Sequence, residues 1–461
     1  MENKLDLLLI NPSLDFKKDI GKYKELRVQD KIPRQHAAHI GIAYLLAICK
    51  KEGISVKYID MITYEKSLEE VIDFVKENKP KMVGFTAFTV QIKAAGHIAE
   101  KIKEIYPDTI ITAGGPHVTA IPKETLKEFP SFDFVVRGEA DKIFPNIFRS
   151  DLTDVSKIKG VVTREKEDIT YDRVENLDEL PFPAWEEFDL KLYPGCEPHR
   201  TKQELFISTS RGCPNFCVFC VRPFGQRRTF RSILSIIEEI ERNIKEFDCQ
   251  AINFCDETFT ANIDFSKKLF EKMIELGLHK KIRWSCETRV DNASPEMFKL
   301  MKEAGCYYVF FGFESADDEM LKRAGKGFDI AQIKKAVGWA KDAELICAGS
   351  FILGLPGETE ETAMKSVKLA KELDIYSTTF PIAVPFPGTP IREMADKGMF
   401  GLRILTSNWD DYGKQYPGVM ESENLSIDRL RELQEYAYKY NPKKDFPKII
   451  DYLSQNGIVP E

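Results

Sequence analysis

The sequence predicts an α/β protein: a doubly wound parallel sheet, then a partial (β/α)6 barrel, then a helical C-terminal region. Three observations lead there. Over residues 1–140 short apolar runs alternate with helical patterns of roughly 10–18 residues, the rhythm of strand–helix–strand units. Over residues 141–204 that rhythm is lost. From residue 205 it resumes as six β-α units of about 25–40 residues each, short of the eight of a full barrel.

Each element has its own local reason. LDLLLINP (5–12) reads as a buried strand and HIGIAYLLAICKKEG (39–53) as an amphipathic helix stopped by Gly53. SVKYIDM is the next strand, and SLEEVIDFVKENKP a helix ended by Pro80. KMVGFTAFT, TIITAGGPH and FDFVVRGEA complete five strands, with VQIKAAGHIAEKIKEIYP a helix among them. Such sheets bind ligands at the carboxyl ends of their strands. The connector carries the turn-rich LPFPAWEEFDL and YPGCEPH and suggests a small hairpin around VVTREKEDITYD. Its aromatic content predicts that it packs between two domains. The second set of strands is LFISTS (205–210), AINFCDETF (251–259), IRWSCETRV (282–290), YYVFFGFES (307–315), ICAGSFILGLP (346–356) and IYSTTFPIAVP (375–385). The organisation is thus residues 1–140, a connector 141–204, a barrel 205–395 and a helical region 396–461, where DRLRELQEYAYKYN is the clearest helix.

Composition narrows the class. The chain has 461 residues, 43% hydrophobic and 30% charged, which is globular usage and excludes a disordered or fibrous chain. A net charge of −7 excludes a nucleic-acid binder held by bulk positive charge. The mean hydropathy of −0.30 fits a soluble chain, and no stretch approaches the roughly 18 apolar residues of a transmembrane segment. MENKLDLLLINPS lacks the shape of a signal peptide, so a cytoplasmic location with reduced thiols is expected. Ten cysteines are too sparse for a disulfide scaffold, and their spacing carries more meaning than their number.

The sharpest spacing is ISTSRGCPNFCVFC (207–220), which sets Cys213, Cys217 and Cys220 in a C-x-x-x-C-x-x-C pattern directly after the first barrel strand. Gly212 permits a tight turn, and the spacing curls three thiolates around one point. Three thiolates can hold three irons of a cubane cluster and leave the fourth iron open for chemistry. A structural zinc site is the alternative, with Cys196, His199 or a distant cysteine as fourth ligand. Buried free thiols are the other.

At these residues the chain resembles the radical S-adenosylmethionine (SAM) enzymes over residues 205 to about 390. DETF (Asp256 to Phe259), GFES (Gly312 to Ser315) and GSFILGLPGET (Gly349 to Thr359) agree with that resemblance. It implies a [4Fe-4S] cluster on the three cysteines whose open iron is chelated by the SAM amine and carboxylate. Phe219 would lie beside the adenine, and Asp256 or Glu257 would approach the amino group, a departure from the Gly-Gly-Glu of many relatives. Arg289 would meet the carboxylate, Glu314 or Ser315 the ribose, and Ile352 and Gly354 would flank the adenine. Each residue also has a plain structural role open to it. Strand-end acids can cap the next helix, Arg289 can pair with Glu287 or Asp291, and the Gly354–Pro356–Gly357 run can be turn chemistry.

The five-stranded N-terminal domain resembles the Rossmann-like cobalamin-binding module of the cobalamin-dependent branch. Thr86, Ala87 and Phe88 after the third strand and Gly114, Gly115, Pro116 and His117 after the fourth carry the likeness, supported by RGEA, HIGIAYLLA and LPFPAW. Paired glycines let backbone approach a ligand closely, and they are also common turn residues. The Asp-x-His-x-x-Gly of many cobalamin carriers is missing. NPSLDFKKDIG stands in its place, which argues against a cobalt-ligating His there and leaves His36, His39 and His117 unassigned. Only Cys49 lies in this domain and no cysteine follows Cys347, so one cluster is expected. Cys249, Cys255, Cys286, Cys306 and Cys347 read as packing.

The resemblance implies a C-methyltransferase acting on an unactivated carbon, through a 5′-deoxyadenosyl radical and methylcobalamin, at two SAM per methyl. Cyclisation, ring contraction or oxidation with the same cofactors is the alternative, and a non-catalytic corrinoid or cluster protein the third. The substrate would be a small molecule, lipid or peptide, and the electron donor a ferredoxin or flavodoxin. Trp409, Tyr412 and Tyr416 are expected to cap the substrate cleft.

Overall fold

The computed structural model describes residues 5–13, 38–150, 152, 154–166, 168–193, 195, 203–413 and 418–444. His36, Cys196, His199, Tyr416 and most of NPSLDFKKDIG lie outside the described residues. The chain forms two compact units, one of residues 1–194, 221–230 and 408–412, the other of residues 195–220, 231–407 and 413–461.

The first unit is a six-stranded sheet: β1 Leu7–Asn11, β2 Val56–Asp60, β3 Met82–Thr86, β4 Ile110–Gly114, β5 Phe134–Val136 and β6 Val161–Val162, in the order β2-β1-β3-β4-β5-β6. All neighbours are parallel except β5 and β6. Strand β1 reads LLLIN and is buried at every position, because a parallel strand covered on both faces needs a continuous apolar run. Its pairing with both β2 and β3 puts the topological switch point beside it, where such sheets bind ligands. Helices α1 Ile40–Lys51, α2 Leu68–Asn78 and α3 Ile92–Ile105 cover the sheet. A full capping box of Ser67 and Glu70 starts α2. Register sets Thr86 opposite Gly114 at the carboxyl ends of β3 and β4.

Two features differ from the sequence reading. Between β4 and β5 lie two short helices, α4 Pro116–Ala120 and α5 Pro122–Glu128, each opened by a proline at its first turn, and α6 Ala140–Arg149 follows β5. Among the described residues no hairpin forms at 161–172; Val161 and Val162 pair with Val136 and Val135 as the edge of the main sheet instead. The return segment is held by single bonds: Gly160 N–H donates to the Thr170 carbonyl at 2.9 Å and the Arg137 guanidinium to the Ile169 carbonyl at 2.7 Å. Connector residues up to Tyr193 pack on this unit. Trp185 is fully buried, and the Tyr193 hydroxyl donates to Asp60 at 2.9 Å.

The second unit is a sheet of β7 Glu204–Ile207, β8 Ala251–Phe254, β9 Arg283–Thr288, β10 Cys306–Glu314, β11 Ile346–Phe351 and β12 Ser377–Thr379. The strands are parallel and stand in sequence order, as a partial barrel requires. Helices α7 Ile233–Phe247, α8 Ile263–Glu275, α9 Pro295–Glu303, α10 Asp318–Arg323, α11 Ile330–Asp342 and α12 Glu360–Leu373 connect or follow them. Trp284 packs among Phe254, Phe259 and Phe270 with ring centroids 5.1–5.5 Å away, a geometry that adds to area burial.

Among the described residues after 395, a short strand pair stands beside the expected helix. Arg403–Ile404 and Met420–Glu421 form a short antiparallel pair before the helix Ile427–Tyr440. The expected aromatic cap is also different: residues 408–412 belong to the first unit. Tyr412 is 1% exposed there and packs on Trp409, so it is core and not a cleft-facing residue. Cys49, Cys249, Cys286, Cys306 and Cys347 are buried and Cys255 half-buried. Among the described residues no helix is long and apolar enough to cross a membrane.

Candidate functional site

In the second unit the cysteine loop leaves the carboxyl end of β7. Cys213 and Cys217 are buried and Cys220 half-buried. Two donors address the sulfurs: Asn215 Nδ2 stands 3.3 Å from Cys213 Sγ, and Arg289 Nη1 3.7 Å from Cys217 Sγ. The loop is seated from below by both strand-end acids of β8. Asp256 accepts from the Thr209 backbone (3.0 Å), the Thr209 hydroxyl (2.8 Å) and the Ser210 hydroxyl. Glu257 accepts from the Gly212 backbone at 2.9 Å. Neither acid caps the following helix, whose cap is Asn262. They fix residues 209–212, which lead directly into Cys213.

Arg289 follows β9 and is gripped by Asp291 through two bonds of 2.9 and 2.8 Å; Glu287 is not its partner in that pair. Burial works against its charge, but Asp291 and the thiols of Cys217 and Cys213 outweigh it and raise its pKa. Arg289 also donates to the Lys326 carbonyl. Lys326 is 4% exposed, and its ammonium meets Glu314 at 3.1 Å. Glu314 ends β10 in the left-handed region (φ 67°), and Ser350 also reaches it, at 3.3 Å. A non-glycine residue held there is strained by about 1–3 kcal/mol. A Cβ on Gly312 would collide with the Glu314 carboxylate and approach Lys326 Nζ to 3.2 Å, which explains the glycine of GFES.

Phe219 packs against an apolar cluster that contains Ile352, Leu355 and Ala324, so two of the three residues expected at the adenine share one cluster. Gly354 has φ +82° and donates its N–H to Glu358 at 2.5 Å. Glu358 is fully buried, and burial pushes its carboxyl up to about 8. The Ser315 hydroxyl accepts from Asp317 N–H at 3.3 Å, a turn contact before α10. The sequence reading offered Asp291 as a partner of Arg289 but missed Lys326 and Glu358. For Lys326 the usable signal was a lysine between Gly325 and Gly327, both at φ +73°.

In the first unit the other predicted residues also meet. Ala87 N–H donates to the Gly114 carbonyl at 2.9 Å, and His117 N–H to the Ala87 carbonyl at 3.4 Å, joining the loops after β3 and β4. Gly115 has φ +105°, and a Cβ there would lie 2.8 Å from Ala87 O and 3.0 Å from Ala87 N. Only glycine fits. Phe88 is 50% exposed on the same loop pair. At the switch point Gln91 donates to Asn11 at 2.8 Å and to the Pro12 carbonyl at 3.0 Å. His39 caps α1, its Nδ1 accepting from Ile42 N–H at 3.3 Å. That bond leaves the proton on Nε2.

Both expected groups can be tested against these residues. Among the described residues no three Cys, His, Asp or Glu side chains are gathered closely enough to hold an ion, so the thiols share a loop and not a closed cage. The donor set still fits an iron–sulfur cluster. Three thiols fall between positions 213 and 220, and a guanidinium and an amide N–H are directed at sulfur. The glycine cradle at Gly115 and a buried imidazole nitrogen of His117 with no hydrogen-bond partner fit a large, polar ligand at the carboxyl end of the sheet.

The Radical SAM superfamily matches residues 207–370 and the B12 binding domain residues 34–148. An uncharacterized methyltransferase of Pyrococcus horikoshii is 33% identical over 435 residues, 91% of each chain. The anaerobic magnesium-protoporphyrin IX monomethyl ester cyclase of Cereibacter sphaeroides is 27% identical over 373 residues, 77% of this chain and 60% of that one. Among solved structures, the radical SAM methyltransferase TsrM of Kitasatospora setae, with cobalamin and a [4Fe-4S] cluster bound, shares the fold. Its TM-score is 0.72 at 17% identity, covering 95% of this chain and 89% of that one. The chain belongs to the radical SAM enzymes that carry a cobalamin-binding domain. Within that family it is similar over nine-tenths of its length to a methyltransferase.

Proposed function

We propose that this enzyme methylates an unactivated carbon of its substrate, using a [4Fe-4S] cluster, SAM and cobalamin. The observation that carries the reading is the three-cysteine loop at the carboxyl end of a partial barrel, in the same chain as the glycine cradle of a B12 binding domain. When bound, these groups supply a carbon-centred radical from SAM and a transferable methyl group.

The protein's own residues then have separable tasks. Cys213, Cys217 and Cys220 hold three irons, with Arg289 beside Cys217 balancing their negative charge. Asp256 and Glu257 hold the approach to the loop, so they act as positioning residues. Arg289, Lys326 and Glu314 form one charged chain beside the cluster loop that offers contacts to the amino-acid and ribose ends of SAM. Phe219 and Ile352 give the adenine an apolar seat. Thr86, Ala87, Phe88, Gly114, Gly115, Pro116 and His117 receive the corrinoid. The partial barrel shields the reacting carbon from water, which a reactive radical requires. The thiols must stay reduced, which places the enzyme in the cytoplasm with a ferredoxin or flavodoxin as electron donor. The substrate is a small molecule, a lipid or a peptide.

The test needs no substrate. The anaerobically reconstituted enzyme is mixed with SAM and a strong reductant, with and without cobalamin. Methyl transfer predicts S-adenosylhomocysteine that forms only with cobalamin, beside 5′-deoxyadenosine. 5′-Deoxyadenosine alone would contradict it and favour the second reading, a cyclisation, for which the similarity to the monomethyl ester cyclase speaks.

A further inference from the structure

We propose that a basic cavity at the amino ends of β9 and β10 binds a pyrophosphate group, at a site separate from the cysteine loop and its charged neighbours.

The cavity has a volume of about 370 Å³, inside the roughly 300–1,000 Å³ of ligand pockets. His279 and Lys280 line it from the segment before β9, and Arg283 from the first position of β9. Lys302 and Glu303 line it from the end of α9. The strands of this sheet are parallel, so these amino ends lie opposite the carboxyl end of β7, where the cysteine loop begins. Three cations and an imidazole thus share one cavity with a single acid, in a chain whose net charge is −7.

The walls are built by backbone. Gly305 has φ +98°, and a Cβ there would lie 3.2 Å from Ile282 O and 3.3 Å from His279 Cα. The turns that precede β9 and β10 therefore touch directly, and Trp284 Nε1 ties them by donating to the Ala304 carbonyl at 2.8 Å. Arg283 Nη1 donates to the His279 carbonyl, and Lys302 Nζ to the Glu344 carbonyl at 2.9 Å, which fixes both cations in place. The Glu344 carboxylate stands farther from Lys302, at 3.8 Å. Burial lowers the pKa of Arg283 and of Lys302. For Lys302 the Glu344 carboxylate opposes that fall and the neighbouring Arg283 adds to it. Cations held against burial and against each other are relieved by an anion that enters between them.

The charges select the anion. A guanidinium matches two phosphate oxygens at once, and a lysine serves as a point charge. Three cations against one carboxylate call for more than one negative charge, which two linked phosphates carry and a single carboxylate does not. Barrel chemistry is done at the carboxyl ends of the strands. The occupant of this opposite end is therefore an effector that stabilises the fold by binding it.

The experiment is a calorimetric titration of the full-length protein with sodium pyrophosphate, ADP and sodium sulfate, beside melting curves. Wild type should bind pyrophosphate at least about tenfold more tightly than sulfate, and its melting temperature should rise with pyrophosphate. Lys280→Gln and Lys302→Gln should each weaken pyrophosphate binding about tenfold, roughly the worth of one charge-assisted hydrogen bond. Lys268→Gln, at an exposed position of α8 outside the cavity, should leave it within about twofold. Lys280 is exposed, so its replacement tests binding without disturbing the core, and an unchanged melting curve without ligand checks this. ADP binding as tight as that of pyrophosphate would support the site and assign it to organic diphosphates. Pyrophosphate binding alone would support it and assign it to the inorganic anion. No binding by wild type, equal affinity for sulfate, or an equal loss in Lys268→Gln would overturn the proposal.

Discussion

The ligand ends of the two sheets are prepared in opposite ways. In the first unit the site is made of backbone and uncharged groups: Gly114 and Gly115 against Ala87, a neutral His117, and the Asn11–Gln91 amides. In the second, charges are already engaged before any ligand is considered: Asp256 with Thr209 and Ser210, Arg289 with Asp291, Glu314 with Lys326. The contrast teaches how each site must read its ligand. A close-fitting backbone cradle selects by shape and by a few directed hydrogen bonds. A prepaired charge network keeps buried ions satisfied and can exchange partners when a zwitterionic ligand such as SAM enters. The first site fails by steric intrusion, the second by loss of a counter-ion.

The largest effect should come from Cys213→Ser, Cys217→Ser or Cys220→Ser. Each should lower iron from about four per chain to near zero and abolish SAM cleavage, while cobalamin binding stays within about twofold. Iron analysis and an absorption titration on the same sample check this. Loss of both would mean that the substitution unfolds the chain and does not merely empty one site.

Next is Lys326→Met. It strands the buried Glu314 carboxylate, whose side chain is 7% exposed, and removing one partner of a buried pair costs about 3–5 kcal/mol. Denaturant unfolding should show that loss, together with weaker SAM binding. Lys326→Met with Glu314→Leu should recover much of the stability and none of the SAM affinity.

Gly115→Ala should be smaller in stability and sharper in ligand binding. A residue forced to φ +105° with its Cβ on Ala87 costs about 1–3 kcal/mol. The expected readout is a lower melting temperature and no corrinoid absorbance, with iron content unchanged.

The smallest effect is a pH dependence. Glu358 has a carboxyl raised to about 8, so the folded state binds its proton where the unfolded chain has released it. Its contribution is fully present below the ordinary carboxylate range and is lost as pH rises toward and through about 8. Glu358→Gln should flatten the fall in melting temperature between about pH 5 and 8, and an unchanged slope would show that Glu358 is not its source.

Much of this was legible in the sequence because one kind of signal repeats. A parallel strand buried on both faces must be a continuous apolar run, so LLLIN and its counterparts stand out, and glycines at strand ends mark the ligand side. The cysteine loop was legible because metal ligation demands fixed spacing. Partners set by tertiary structure were not. Nothing local says that Arg289 will choose Asp291, that Asp256 will hold Thr209, or that Lys326 will neutralise Glu314. The edge strand Val161–Val162 was hidden for the same reason: its partner, Val135–Val136, lies outside the window in which a hairpin is judged. Trp409 and Tyr412 read as a cap because sequence position placed them in the C-terminal region, whereas packing assigns them to the first unit.

The central claim is that one chain holds two different metal groups at two differently built sites. Its most direct test is to purify the protein without oxygen, reconstitute it with iron and sulfide, offer hydroxocobalamin, and count metals per chain. The account predicts about four irons and one cobalt. Four irons without cobalt would contradict the corrinoid site and leave only the radical SAM half standing, while cobalt without iron would contradict the cluster.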